Sequence, residues 1–186
     1  MTYNNNNQKL IPPHGGYRKL KSYQNSEIVY DFTVAFCEKY VSKFSRTRDQ
    51  MTQAARSGKQ NIAEGSMASG TSKKTELKLV GVARASLEEL LLDFEDFLRQ
   101  KNLKQWSKNS PEAAAARALV YKSNRSYMTY EPFLAEPEMA ANCAICLIHQ
   151  ANFLLDQQLK ALEKEFLEQG GFTERLYRER KKFREI

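Results

Sequence analysis

Residues 47–98 carry two successive runs of apolar side chains spaced three and four apart, and that spacing commits the middle of the chain to helices packed on helices. On a helical wheel Met51, Ala54, Ala55, Gly58 and Ile62 fall on one side, the buried stripe of an amphipathic helix. The stripe is made of small residues, which lets a neighbouring helix come close. Arg48, Arg56 and Lys59 share another flank, with Thr52 between them. Glu64-Gly65-Ser66 reads as the end of this helix, because glycine tolerates the left-handed backbone of a helix stop. Ser72 then offers an N-cap for the next helix. In that helix Val80, Ala83, Leu87, Leu90, Leu91, Phe94, Phe97 and Leu98 form the inner face, and Glu89, Asp93 and Asp96 the outer one.

Two further long helices are predicted. One spans about 22–44, where Val29, Phe32, Phe36, Tyr40 and Phe44 recur at helical steps opposite Glu27, Asp31 and Glu38. Aromatic residues in such a row resemble a base-stacking platform, but helical spacing with a charged far side is the pattern of core packing. The other spans about 139–169 and stops at Gly170-Gly171, with Ala144, Leu147, Ile148, Ala151, Leu154, Leu155, Leu162 and Phe166 as its core face. A second, weaker stripe of Cys146, His149 and Phe153 on this helix suits a contact with another subunit.

The remaining segments have no long period. Residues 1–16, with an asparagine run and Pro12-Pro13-His14-Gly15-Gly16, read as a flexible segment, and His14 as a solvated loop residue. Residues 107–138 read as an insertion. It opens on Ser110-Pro111-Glu112, which supplies a cap, a proline at the first helical position and an acid at the positive end of the dipole. Tyr121, Tyr127, Tyr130 and Phe133 follow as a packed excursion or a contact surface. Residues 172–186 form a basic tail, a short helix or an arm. The expected fold is all-α: an up-down four-helix bundle over 17–171, a helical insertion between helices 3 and 4, and the basic C-terminal tail.

Gln50, Ala54-Ala55, Ser57 and Asn61-Ile62-Ala63-Glu64-Gly65, followed by Ser72-Lys73-Lys74 and by Ala83, Ser86-Leu87, Glu89-Leu90, form a pattern that resembles the four-helix-bundle family of bacterial 23S ribosomal RNA intervening-sequence proteins. The accessory variability determinant of diversity-generating retroelements is similar to the same family. The resemblance implies a ring-like homopentamer and an association with RNA or with a nucleic-acid enzyme such as a reverse transcriptase. Asn61 and Glu64, near the expected helix end, read as structural groups that close a turn.

Charge is distributed unevenly. The chain is +7 overall; residues 1–75 are +7, residues 76–171 are −3 and residues 172–186 are +3. Such asymmetry suits an anionic partner. It suits equally well a pairing of basic and acidic faces between subunits. The basic residues that would meet an anion are Arg46, Arg48, Arg56, Lys59, Lys73 and Lys74, and in the tail Arg175, Arg178, Arg180, Lys181, Lys182 and Arg184.

Signals for chemistry are sparse. Cys143-Ala-Ile-Cys146 lies inside a predicted helix, away from the helix N-terminus and strands that a redox pair uses. Zinc would need two more ligands, for which only Cys37 and His149 suggest themselves. Glu88, Glu89, Asp93 and Asp96 lack the Glu-x-x-His partners of a di-iron bundle and read as a solvated or intersubunit acidic surface. There is no Walker loop and no G-x-G-x-x-G, and no nucleophile–base pair. No metal or cofactor is expected. Three cysteines do not make a disulfide scaffold. With no apolar run of membrane-spanning length and no signal-like start, a cytoplasmic protein is expected. The functional expectation is a non-catalytic oligomeric adaptor that binds RNA, DNA or a nucleoprotein partner through its basic surface. The alternatives are a purely structural or protein-binding oligomer, and a metal or redox protein built on Cys143 and Cys146.

Overall fold

The computed structural model describes residues 10–184, so the asparagine run expected to be flexible lies outside the described residues. Six α-helices form: α1 (Lys21–Tyr40), α2 (Arg46–Ala68), α3 (Lys73–Gln100), α4 (Pro111–Ala118), α5 (Pro137–Gln169) and α6 (Phe172–Arg184). Short 3-10 turns cover Tyr17–Lys19, Leu119–Tyr121 and Tyr127–Ala135. The all-α expectation holds. The four-helix bundle does not, because the described residues contain six helices. The two additional helices have local causes. The Ser110 side chain accepts from the Ala113 backbone N–H and Pro111 opens α4, where fixed φ is already helical. Gly170, at φ +72°, breaks the chain after α5, and the tail starts again as α6 instead of trailing as an arm.

α2 packs on α1 and on α3, and α5 packs on the other sides of α1 and α3, so these four enclose one core. Phe32, Phe36, Ile62, Leu87, Leu90, Phe94 and Leu155 are fully buried in it. Phe36 sets its ring edge-on to Phe94 and to Phe97, both at 4.9 Å between centroids, a geometry that places ring edges on ring faces. α4 leans on α5.

Two helix ends differ from the periodicity. α1 stops at Tyr40, and Phe44 is 87% exposed rather than the last member of the core stripe. Val41 is already extended and Ser45 accepts from the Thr47 backbone N–H to start α2. α2, in turn, runs straight through Glu64-Gly65-Ser66 to Ala68. Gly65 is buried, and a Cβ there would sit 3.3 Å from the Glu76 carbonyl oxygen. This glycine admits α3 at close range instead of ending a helix.

The same principle acts more strongly at Gly58. A Cβ there would lie 2.5 Å from Cδ2 and 2.7 Å from Cγ of Leu87, a side chain with no exposed surface and nowhere to retreat. Alanine favours a helix interior by about 1 kcal/mol over glycine. Here the collision should win, and Gly58→Ala should lower stability by about 1–3 kcal/mol in urea unfolding. In a Leu87→Ala background the same change should raise stability, since the methyl then fills the space that leucine vacated.

Candidate nucleic-acid interface

The structure separates the basic residues into groups of different character. Arg46, at the start of α2, lines a groove between α2 and α3 together with Asp49, Ser57, Ser86 and Glu89. Two carboxylates in the same groove make it mixed in sign. Arg48 is half-buried close to Cys37, and Arg56 is exposed. Lys59 turns onto α1, with its ammonium 4.4 Å from the Tyr30 ring centroid, a cation–π contact.

Lys73 is the most constrained cation. Its Nζ lies 3.2 Å from Glu76 Oε2 and 3.2 Å from Glu165 Oε1, tying the start of α3 to the end of α5. Burial alone would lower its pKa, but the two carboxylates outweigh burial and hold it above the ordinary lysine value. Burial raises the Glu76 carboxyl in spite of Lys73. Lys73 is thus a structural tie, already matched in charge. Lys74 beside it is exposed.

α6 begins within this neighbourhood. Lys73, Glu165, Gly170, Arg175 and Arg178 line a cavity of about 300 Å³ with Pro12, so residues a hundred positions apart meet at one end of the fold. Arg175 lays its guanidinium 5.7 Å over the Phe172 ring, and its Nε is buried without a hydrogen-bond partner. Arg178 donates from Nη2 to the Gln169 carbonyl at 3.1 Å, closing the end of α5. Further out, Lys182 pairs with Glu179 at 2.8 Å. Arg180, Lys181, Lys182 and Arg184 are exposed, as are Tyr177 and Phe183.

The motif residues form a polar rung within the helix pair. Asn61 Nδ2 donates to the Ser57 carbonyl at 2.9 Å and to Ser57 Oγ at 3.0 Å, and Ser86 Oγ donates to Ser57 Oγ at 3.1 Å. Asn61 therefore works in mid-helix and not at a turn. Ile62 and Leu87 are fully buried, Ala63 is half-buried, and Glu64 and Glu89 are exposed.

The second stripe of α5 meets a part of the same chain. Cys146, His149 and Phe153 line a cavity of about 820 Å³ together with Trp106 and with Arg117 of α4; Phe153 stays 62% exposed. Cys143 is fully buried. Burial raises the Cys143 and Cys146 thiols and pushes Cys37 up to about 11, the opposite of the shift that makes a thiolate nucleophile. Among the described residues no three His, Cys, Asp or Glu side chains come together as a metal site. No helix among them is long and apolar enough to cross a membrane. Sequence reasoning missed Asn25, Trp106 and Arg117 as neighbours across this cavity. The available signals were a lone tryptophan in a polar connection and an asparagine on the buried side of α1.

Compared with family models, with curated proteins and with solved structures, the chain matches none. The resemblance to intervening-sequence proteins and to the retroelement determinant is not upheld: the described residues form six helices rather than four, and no match ties the chain to either group. The homopentamer implied by that resemblance goes with it.

The acidic face of α3 also yields a test. Burial raises the Asp93 carboxyl, Glu89 and Asp96 add to the rise, and Asp93 Oδ2 is buried without a partner. A carboxyl raised in the folded state makes the fold more stable as pH falls through that raised value, because the folded chain then binds more protons than the unfolded one. Asp93→Asn should consequently raise the melting temperature at pH 7. The gain should shrink as pH falls through the raised folded-state value and should be nearly gone by pH about 3, below the ordinary aspartate value, where wild-type Asp93 is largely protonated in both states. A lower melting temperature at pH 7 would reveal a stabilising role for the charge.

Proposed function

We propose that this protein is a non-catalytic binding module for nucleic acid, with α6 as its principal contact. One observation carries the reading. α6 is a helix of thirteen residues with none of them buried, and over Phe172–Arg184 six basic side chains stand against two acidic ones. An exposed cationic helix releases counterions when it meets a phosphate backbone, so its affinity falls with salt. Tyr177 and Phe183, 70% and 82% exposed on the same helix, suit stacking on unpaired bases. Lys74 and Arg56 add exposed positive charge on α2 and α3, while Lys73 and Lys59 are already engaged.

A second reading, a protein-binding assembly module, is favoured by the outward side of α3, where Val82 and Leu92 are 39% and 57% exposed. The two readings separate in solution. Fluorescence anisotropy with a labelled RNA hairpin and with a 20-base-pair DNA duplex should show binding that weakens steadily as salt rises. Arg180→Ala with Arg184→Ala should flatten the dependence of log affinity on log salt by about two. Failure to bind either probe at low salt would remove the nucleic-acid reading. Self-association by sedimentation that is lost in Leu92→Glu would then favour the other.

A further inference from the structure

The cavity between α4 and the N-terminal half of α5 is built by long-range fastening. Asn142, 2% exposed, donates to the Lys104 carbonyl at 2.8 Å and accepts from the Trp106 backbone N–H at 2.7 Å. Those two bonds hold the connection after α3 against α5 and set Trp106 at one wall. Arg125 donates to Asn25 Oδ1 at 3.0 Å and to the Tyr130 hydroxyl at 3.3 Å, which pins the far part of the excursion to α1. The partly open pocket of about 820 Å³ falls within the range of roughly 300–1,000 Å³ found for small-molecule sites.

Three features of its lining define an occupant. The walls are mainly apolar, including Trp106, Val120, Ile145 and Leu154. The charged side chains among the lining residues are Arg117 and Lys108, with no aspartate or glutamate beside them. Arg117 makes no ion pair with any described residue; its side chain lies against the Cys146 thiol. Finally, Asn25 is 2% exposed and lines the cavity, and its Nδ2 donates to nothing. Arg125 occupies Oδ1 of the same amide, which fixes its orientation and leaves the donor side unused. A buried donor left unpaired costs about 1–3 kcal/mol, and this one lies behind the pocket wall, closed to solvent.

From these features we infer that the cavity is a binding site for a small amphipathic carboxylate, its apolar body against Trp106, Val120 and Ile145 and its acid group at Arg117. A neutral lipid-like molecule would leave the Arg117 charge without a counter-charge. A polyanion such as a nucleotide would set several charges against apolar walls, where desolvation opposes them. The site is separate from α6 and stands whether or not nucleic acid binds there.

The single tryptophan of the chain is a built-in reporter of occupancy. Decanoate titrated into the full-length protein should shift Trp106 emission saturably, and decanol, with the same chain length and no charge, should bind at least tenfold more weakly. Arg117→Met should weaken decanoate at least tenfold while leaving decanol unchanged, and Val120→Phe, which fills the cavity, should weaken both at least tenfold. Circular dichroism establishes that each variant is folded; should Arg117→Met fail to fold, the decanoate–decanol comparison and Val120→Phe decide. No saturable change with decanoate, equal affinity for decanol, or wild-type binding by folded Val120→Phe would each overturn the inference.

Discussion

The α2–α3 seam is the contact on which the rest of this fold depends. It is the most extensive helix pairing in the molecule, and it exists because Gly58 and Gly65 present no side chain where Leu87 and the Glu76 carbonyl arrive. Helices that close bring dispersion contacts to bear along their whole length, and they bring hydroxyl groups within reach of each other. The Asn61–Ser57–Ser86 rung lies on this seam, satisfying polar groups that the close approach would otherwise strand. With α2 and α3 locked, α1 and α5 have a fixed template on which to bury Phe32, Phe36 and Leu155.

Polar fastenings then decide where the less regular parts go. The Lys73–Glu76–Glu165 cluster joins the start of α3 to the end of α5 and so sets the point from which α6 departs. Asn142 and Arg125 do the same for the excursion around α4. Such buried or half-buried polar groups contribute modestly to stability, yet each accepts few geometries. They give definite positions to segments that no hydrophobic stripe organises.

The charge pattern acquires a different meaning once positions are known. In the sequence, residues 1–75 look like the basic half of the chain. In the structure Lys73 is matched by two carboxylates, Lys59 sits on Tyr30, and Arg46 shares its groove with Asp49 and Glu89. On α6, by contrast, Arg178, Arg180, Lys181, Lys182 and Arg184 all stay exposed. Net charge counts residues, whereas a partner meets only the charge left uncompensated at the surface.

By itself the sequence determined the helical class, the buried faces of α2 and α3, the start of α4 at Ser110-Pro111 and the break at Gly170, since each follows from local periodicity or from backbone preferences of single residues. Helix ends are less legible: a glycine serves a stop or a close contact depending on what lies opposite, as at Gly65, and Phe44 continues the periodic stripe beyond the point where α1 has ended. The number of helices, and with it the supposed kinship, also misled, because a short motif on one helix pair says little about how many helices pack around it. Only tertiary structure decided that Cys146 and His149 line a partly open pocket together with Trp106 and Arg117, and that Lys73 is spent on Glu165. Those facts rest on contacts between residues far apart in the chain, and no periodicity encodes which distant surface a side chain will meet.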